Sequence, residues 1–530
     1  MTQLISSLLK QIGPCLSSVL VEEMLKKSTL NSTAARKQIS RAVATGKLHC
    51  VDNLFPKRER FIYLAQQYGS GDYWRNLTTA LLGSSSAYGL ALSCLRARGG
   101  ILKLEHFAAA CGSPVAMKKR LSWSSVLEGL LQHKMVRKVN LSSIGDCVAL
   151  TEKNEDSYHR AVLPLKARLT TESILMKAVG QWVKNTGIIS YDTLRTRELV
   201  APDQIPCVSN FCFDISAASY LNPLLQYTGS GEPRPGFFVC DLLLGSKLNL
   251  QHVQPFITKC RSISSLNNSP RCLYMFIADE YSTDAFSALK KAGIIPATPE
   301  TLFGNDLAEA LVQLRELISY MSSSLNGNIT TIDEIMSKLS RIEGATTQLQ
   351  GDLFEYIVAE AVRIDHSHVE VGRLCKSDDD RKADCDVLAL KGRSLVTFIE
   401  CKGYKPYSTV RHKDIERWIS YQIPVFRKHA QREYPEADVV VELWTTGKFS
   451  DDTRDMLKKF TEQNNINQRY SIHIVEPHEI RNRIKATRNT SLVRVFEKHF
   501  INNMHTATAR RRTPEPVRLA GHDEADEYNF

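Results

Sequence analysis

A short apolar run that ends in two charges is the feature that most restricts the fold of this chain. Residues 394–404 read SLVTFIECKGY, in which an apolar stretch is followed by Glu400, one spacer and Lys402. Val, Thr, Phe and Ile favour a pleated, half-buried strand. Residues two apart point to the same face of a strand, so Glu400 and Lys402 are expected to lie together. Because such charges are costly to bury unless they are used, this strand end predicts a functional site.

A second carboxylate precedes another predicted strand, ADCDVLAL, in which Asp386 comes directly before an apolar run. Neighbouring strands place Asp386 and Glu400 side by side at a sheet edge, where two carboxylates repel each other unless a cation bridges them. Mg²⁺ is the expected cation because it prefers oxygen ligands, and Mn²⁺ is the alternative. The backbone carbonyl of Cys401 is a further candidate ligand, and Asp384 is an alternative to Asp386. Lys402 is expected to hold a metal-bound water and to stabilise negative charge in the transition state.

The helical segment GDLFE and the strands ADCDVLAL and FIECKG occur in this order and together resemble the PD-(D/E)xK nuclease superfamily, in the branch of Mrr, RecB-type nucleases and Holliday-junction resolvases. The resemblance covers residues 345–485 and implies the restriction-endonuclease-like fold. It also implies that Glu355 is the helix carboxylate, that Asp386 and Glu400 bind the metal, and that Lys402 is the catalytic lysine. The chain departs from the superfamily in two places. No Pro precedes Asp386, and the following helix lacks the Gln-x-x-x-Tyr motif of RecB-type nucleases.

Residues 166–325 repeat the same order of strands and helices and are predicted to be a degenerate copy of this unit. In this copy Asp214 is expected to match Asp386. Cys240 and Leu242 are expected where the C-terminal motif has its Glu and Lys, so the copy is predicted to hold no metal and to activate no water. The alternative is an unrelated α/β domain.

The N-terminal third indicates two helix–turn–helix units with basic hairpins, one over residues 1–80 and one over 81–165. Each has an amphipathic helix, a turn, a basic helix and two β-like runs, which is typical of a winged helix. In the second unit, the basic residues are expected at the start of the recognition-like helix. The predicted DNA contacts are Arg36, Lys37, Arg41, Lys57, Arg58 and Arg60 in the first unit and Lys118, Lys119 and Arg120 in the second. The alternative is that these units dock protein partners.

Length and charge limit the remaining possibilities. At 530 residues the chain is too long for one core, and its net charge of +11 permits a polyanionic partner. No apolar run is long enough to span a bilayer and no secretory signal pattern is present, so a cytoplasmic protein without membrane contact is expected. The 13 scattered Cys residues predict reduced thiols. The chain has no P-loop, GxSxG or HExxH motif, which argues against the activities that depend on them.

The complete interpretation is a multidomain chain in which winged-helix units precede two α/β restriction-endonuclease-like domains, each with a mixed central sheet flanked by helices. The predicted boundaries are 1–80, 81–165, 166–325 and 326–505, with a disordered tail over 506–530. The resemblance implies a Mg²⁺-dependent endonuclease of double-stranded DNA in restriction, anti-phage defence or DNA repair, with Lys405, Arg411 and Lys413 as further DNA contacts. The alternatives are a non-catalytic DNA-binding or regulatory protein on the same scaffold and an RNA-directed nuclease. A second copy of the chain, or a partner protein of a defence system, is the expected protein partner.

Overall fold

The computed structural model describes residues 2–501 except 142–143, 152–154, 199–204, 228–230, 320–328, 341, 343–344, 380, 405–407 and 465–469. The predicted tail over 506–530 and the predicted contact Lys405 lie outside these described residues. No helix in the described part is long and apolar enough to cross a membrane. The chain combines helices with several sheets, including two of five strands and two of three. It is therefore a multidomain α/β protein.

The first N-terminal unit packs helices around a small antiparallel sheet of order β1-β3-β2. Its elements are α1 (Thr2–Ile12), β1 (Cys15–Leu16), α2 (Ser17–Lys26), α3 (Ser32–Ala44), β2 (His49–Val51), β3 (Phe61–Tyr63) and α4 (Gly71–Leu82). Asn31 begins α3, because its side chain accepts a hydrogen bond from the Ala34 N–H at 2.8 Å. Ala35, Ile39 and Ala42 bury one face of α3, which leaves its basic residues on the opposite, exposed face.

The second N-terminal unit has a sheet of order β4-β6-β5. Its elements are α5 (Ala87–Ala97), β4 (Ile101–Lys103), α6 (Phe107–Ala110), α7 (Trp123–Gln132), β5 (Val136–Leu141) and β6 (Gly145–Leu150). The expectation that Lys118, Lys119 and Arg120 begin a helix is wrong, because they lie in the turn before α7. Lys119 has a left-handed backbone with φ of 63°, and α7 begins after Ser122, whose side chain accepts a hydrogen bond from the Ser125 N–H.

A long helix, α8 (Glu155–Asn185), connects this unit to the middle sheet and runs across the predicted boundary at residue 166. The strands of the middle unit are β7 (Arg195–Thr196), β8 (Cys207–Val208), β9 (Phe211–Cys212), β10 (Ile215–Ser219), β11 (Gln226–Tyr227), β12 (Pro233–Arg234), β13 (Gly236–Leu248), β14 (Cys272–Tyr281) and β15 (Ile294–Ala297). Its further helices are α9 (Leu250–Ser264), α10 (Thr283–Lys291), α11 (Pro299–Phe303) and α12 (Asn305–Ser319).

The C-terminal unit repeats this pattern around a second five-stranded sheet. Its strands are β16 (His368–Lys376), β17 (Lys382–Lys391), β18 (Leu395–Lys402), β19 (Asp438–Thr445) and β20 (Tyr470–Val475). Its helices are α13 (Ile329–Leu339), α14 (Ala345–Val362), α15 (His412–Arg417), α16 (Ile423–Glu433), α17 (Asp451–Asn464), α18 (Pro477–Ala486) and α19 (Thr490–Phe496). The strand and helices predicted around SLVTFIECKGY are therefore present.

The two five-stranded sheets have the same order and the same strand directions. In the sheet β7-β10-β13-β14-β15, the first two pairings are antiparallel and the last two parallel. The sheet β16-β17-β18-β19-β20 follows the same rule. Each sheet follows a long helix, α8 or α14, and helices make the crossovers between its parallel strands. This agreement is what a duplication of one unit requires.

One hydrophobic core joins the two units. It includes Ile174 and Val179 of α8, Leu314 of α12, Ile335 of α13 and Ile357 of α14. Helix α8 contacts both α12 and α14. Because helices from both units contribute to this core, α8 is a structural part of each of them.

Candidate active site

The strand ends of β17 and β18 bring the predicted carboxylates together. These strands are antiparallel, and Val387 lies opposite Ile399, so Asp386 and Glu400 come at the point where their pairing ends. Asp386 Oδ2 accepts a hydrogen bond from the backbone N–H of Cys401 at 2.7 Å. Strand β18 continues beside β19 as far as its last residue. Strands β17 and β18 therefore separate at this point, and the carboxylates of Asp386 and Glu400 lie in the fork between them.

Glu400 is buried, with 5% of its surface exposed, and both of its carboxylate oxygens accept hydrogen bonds. Lys402 Nζ donates to Oε1 at 2.6 Å, and Gln422 Nε2 donates to Oε2 at 2.9 Å. Burial and the neighbouring Asp386 raise the pKa of Glu400 to about 7, although Lys402 and Gln422 act in the opposite direction. Burial lowers the pKa of Lys402, but Glu400 and Asp386 raise it by more, so the ammonium stays charged. Negative charge at the fork thus exceeds what Lys402 balances.

Gln422 reaches this site because the helix after β18 contains a π turn. The helix begins at His412, widens over Trp418–Gln422 and continues as α16. Pro424 has no N–H, so the ordinary helical hydrogen bond cannot form at that position. π turns shift the direction of the side chains that follow and occur frequently at functional sites. Sequence reasoning gave Gln422 no role, and the Pro inside a long predicted helix is the signal that could have indicated the irregular turn.

Glu355 extends from α14 and is paired with a lysine from a distant part of the chain. Lys166 of α8 donates to both of its oxygens, at 2.9 Å and 2.8 Å, and lies 3.6 Å from Asp352 Oδ1. Burial raises the pKa of Glu355, and Asp386 and Asp352 add to this effect while Lys166 opposes it. Burial would lower the pKa of Lys166, but these carboxylates raise it above its ordinary value. Lys166 is 189 residues from Glu355, and no pattern in the sequence indicates the pair.

These side chains line one cavity of about 630 Å³. The tip of the β5–β6 hairpin contributes to its wall through Asn140, Leu141, Ile144 and Gly145, and α8 contributes Lys166. The predicted site residues in the lining are Glu355, Asp384, Asp386, Glu400, Lys402 and Arg411. The predicted DNA contact Lys413 is exposed on α15. Three units of the chain therefore enclose the candidate site.

A divalent cation fits the donor chemistry of this cavity. Among the described residues, no three His, Cys, Asp or Glu side chains are already arranged to hold a metal ion. The carboxylates of Asp386 and Glu400 are instead engaged by a backbone N–H, Lys402 and Gln422. The repulsion from Asp386 that raises the pKa of Glu400 is the kind of repulsion that a bridging cation relieves. Carboxylate oxygens are the ligands that Mg²⁺ prefers.

The middle sheet has the same contact at the equivalent strand ends. Asp214 Oδ2 accepts a hydrogen bond from the Leu242 N–H at 2.9 Å. This register places Asp241, and not Cys240, at the position of the second carboxylate, and it places Leu243 at the position of the lysine. The predicted match of Cys240 and Leu242 is wrong by one residue. Because side chains alternate along a strand, a shift of one residue exchanges one face of the sheet for the other.

Cations from the protein itself occupy this middle site. Arg197 donates to Asp214 Oδ1 at 2.8 Å and to Glu172 Oε2 at 2.6 Å. Lys259 of α9 is completely buried and donates to Asp241 and to two backbone carbonyls, one of them in the second N-terminal unit. The carboxylates of the middle unit are therefore neutralised by internal ion pairs.

The basic residues predicted to bind DNA differ in their surroundings. Those that are exposed are Arg36, Lys37 and Arg41 on α3, Lys57 and Arg58 in the turn before β3, and Lys118, Lys119 and Arg120 in the turn before α7. Arg60 lies 3.3 Å from Asp52. Arg120 donates to Ser262 of α9 at 2.6 Å. The first N-terminal unit thus has exposed basic side chains on α3 and in the turn before β3, whereas Arg120 contacts the middle unit.

No protein-family model matches this chain, and no curated protein matches it. A solved structure that does match is described as the structure of restriction endonuclease FokI. It is 11% identical to this chain, and the match covers 88% of this chain and 80% of that one with a TM-score of 0.19. A TM-score this low does not show a shared fold. The function proposed for this chain therefore depends on its own residues.

Proposed function

We propose that this chain is a metal-dependent endonuclease that hydrolyses phosphodiester bonds in DNA, with a restriction-endonuclease-like catalytic unit at its C-terminal end. The observation that carries the proposal is the convergence of Asp386, Glu400 and Lys402 at two strand ends, with Glu355 in the same cavity. The middle unit also buries charged groups, but they pair with Arg197 and Lys259, whereas the carboxylates of the C-terminal unit line a cavity. Buried carboxylates with perturbed pKa values inside a cavity are typical of catalytic sites.

Asp386 and Glu400 are the residues expected to hold Mg²⁺, or Mn²⁺ in its place. The N–H of Cys401 faces Asp386, and in an extended strand the C=O of the same residue points to the same side, which makes this carbonyl a further candidate ligand. A bound divalent cation would supply a Lewis acid that favours deprotonation of water and offsets charge on the phosphate. Glu355 provides a third carboxylate at the edge of the same site.

The other side chains of the cavity have separate roles in this proposal. Lys402 donates to Glu400, and its ammonium would offset negative charge on the scissile phosphate if Glu400 held a divalent cation. Gln422 holds the second oxygen of Glu400 and so sets the direction of the carboxylate. Lys166 fixes Glu355 through both of its oxygens. Gln422 and Lys166 are therefore positioning residues.

The test is a cleavage assay on plasmid, linear duplex, single-stranded DNA and RNA, with Mg²⁺, Mn²⁺ or EDTA. We expect cleavage of DNA that requires the divalent cation and falls by at least about 10²-fold in Glu400→Gln, because a neutral amide is a poor metal ligand. Glu416→Gln is the matched control, since Glu416 is exposed on α15. If RNA is cleaved faster than DNA, the site belongs to an RNA-directed nuclease. Binding of DNA without any cleavage would favour a regulatory scaffold.

Delivery of DNA is proposed for the N-terminal units. Arg36, Lys37 and Arg41 are exposed on α3, and Lys57 and Arg58 are exposed in the turn before β3. We call these five residues the N-terminal basic residues. When these five residues are replaced by Ala, the slope of the logarithm of the binding constant against the logarithm of the salt concentration should become less steep. The expected change is about 0.9 for each phosphate that is no longer neutralised. An unchanged slope would indicate that these units dock protein.

A further inference from the structure

Two further cavities adjoin the candidate active site. The nearer one, of about 600 Å³, shares Leu374 with the active-site cavity and is also lined by Arg373, Lys376 and Arg432. The farther one, of about 810 Å³, shares Arg160 with the nearer cavity and lies among the second N-terminal unit, α8, β13 and α12. Each cavity therefore shares one lining residue with the next, from the middle unit to the candidate active site.

The two outer cavities, which we call the basic path, carry an excess of positive charge. Seven Arg or Lys side chains line them, against two Glu. The basic side chains are Arg96, Arg160, Arg168, Arg315, Arg373, Lys376 and Arg432. Acidic neighbours reduce this charge, among them Asp279 beside Arg315 (2.8 Å), Glu433 beside Arg432 (3.0 Å), Glu370 beside Arg373 (3.2 Å) and Glu172 beside Arg168 (3.8 Å). Glu172 is shared with Arg197, so the acids do not cancel the bases.

Two arginines of the basic path have a side-chain nitrogen without a hydrogen-bond partner among the described residues. In the part of the chain that the structure describes, Nε of Arg168 and Nε of Arg373 are buried without a hydrogen-bond partner. Burial lowers the pKa of Arg168 to about 10, and Arg98 and Arg197 add to this effect while Glu172 opposes it. Arg98 and Arg197, which lie beside the path and not in its lining, therefore repel Arg168, and an anion bound at Arg168 would offset this repulsion.

We infer that the basic path binds the phosphate backbone of the DNA substrate and leads it into the active-site cavity, an inference that depends on the nuclease function proposed above. Guanidinium groups bind phosphate through paired N–H donors, and most of the basic residues on the path are Arg. The lining changes along the path, because carboxylates gather in the active-site cavity and basic groups dominate outside it. Phosphates would therefore bind along the outer cavities, and the acidic end would receive the phosphate to be cleaved.

This inference gives the middle unit a role in substrate binding. The carboxylates of Asp214 and Asp241 in this unit form ion pairs with Arg197 and Lys259. Arg168 of α8 and Arg315 of α12 line the farther cavity. The strand segment that lines this cavity, Leu244 to Ser246, directly follows the residue equivalent to Lys402. A unit whose carboxylates are ion-paired can thus bind the same polymer at the corresponding end of its sheet.

The test compares two variants of the full chain that remove the same number of positive charges. One replaces Arg160, Arg373 and Lys376 of the basic path by Gln. The control replaces Lys458, Lys459 and Lys485 by Gln, which are exposed on α17 and α18 and lie outside all three cavities. Binding of a labelled duplex, and of a single strand of the same sequence, is measured by fluorescence anisotropy in EDTA across a salt series. Thermal unfolding checks that both variants are folded. If the triple path variant is unfolded, the single variant Lys376→Gln replaces it in the binding measurement.

We expect the path variant to flatten the salt slope by about 2–3 units for the duplex and by about 2 units for the single strand, because each phosphate that is no longer neutralised reduces the slope by about 0.9 or 0.7. The control should keep the slope to within about 1 unit. A wild-type protein that cleaves DNA, together with a path variant whose slope equals that of the control, would overturn the inference and leave the nuclease function intact. A wild-type protein that binds DNA through the path and does not cleave it would overturn the nuclease function alone.

Discussion

Gly403 allows the helix that carries Glu355 to pack directly on the strand end that carries Lys402. A Cβ atom at this position would lie 2.5 Å from Cβ of Phe354 and 2.7 Å from the backbone oxygen of Gln350, both in α14. Gly403 does not have a positive φ, so its backbone accepts Ala and the effect of Gly403→Ala is purely steric. The substitution therefore tests how closely this helix and this strand must approach each other.

The size of the effect follows from these distances. Ordinary van der Waals contact begins at 3.4 Å, so α14 and β18 must separate by about 0.9 Å to admit the new methyl group. Inserting a methyl group into a packed contact costs about 1–3 kcal/mol of stability. A misplacement of about 1 Å in a catalytic group can reduce the rate by about 10²-fold. We therefore expect Gly403→Ala to destabilise the fold moderately and to reduce cleavage by about two orders of magnitude.

The matched control is Gly351→Ala in the same helix. A Cβ atom at Gly351 meets no atom within 4 Å, so this substitution adds a methyl group without a clash. It should increase stability by about 0.5–1 kcal/mol, because Ala favours a helix more than Gly does. Urea unfolding and single-turnover cleavage with Mg²⁺ measure both effects. Wild-type cleavage by a folded Gly403→Ala protein would refute the idea that Glu355 has to lie close to the strand ends.

Three further outcomes are expected. Asp386→Asn should reduce Mg²⁺-dependent cleavage by at least about 10²-fold and leave DNA binding in EDTA unchanged, and normal cleavage would remove Asp386 from the metal site. Because the pKa of Glu400 is raised to about 7, its contribution to stability is present in acid and is lost as the pH rises through that value, while a bound cation has to displace its proton. Mg²⁺ should therefore raise the Tm more at about pH 8 than at about pH 6 relative to EDTA, and equal shifts would contradict this reasoning. Arg197→Met should lower the free energy of unfolding by about 3–5 kcal/mol because two buried carboxylates lose their cation, whereas Arg75→Met in an exposed pair should change it by less than about 1 kcal/mol.

Elements with short-range signals could be predicted from the sequence. The apolar spacing of Leu353, Phe354 and Ile357 produces the buried face of α14, and the run before Glu400 produces a strand buried on both faces. Residues at such strand ends can be identified because alternation fixes their direction over a few residues. The grouping of Glu355, Asp386, Glu400 and Lys402 in one cavity follows from these local patterns together with the resemblance to a known superfamily.

Features that depend on long-range packing or on exact register could not be predicted. Lys166 reaches Glu355 because α8 packs against α14, which no local pattern encodes. In the middle sheet, Cys240 and Asp241 lie in one continuous apolar run, so hydrophobic alternation does not indicate which of them faces the site. Gln422 depends on a π turn, and an ordinary helical period assigns it a different direction.

The packing of helix α8 limits how the C-terminal unit can be moved into another protein. Its Ile174 shares a core with Ile357 of α14, and its Lys166 pairs with Glu355. A fragment that starts at residue 326 would lack both interactions, with an apolar helix face uncovered and a buried carboxylate without its cation. A fragment that keeps the C-terminal unit folded has to include α8, and because α8 also packs on α12, the middle sheet has to accompany it. The two sheets would therefore have to be transplanted together.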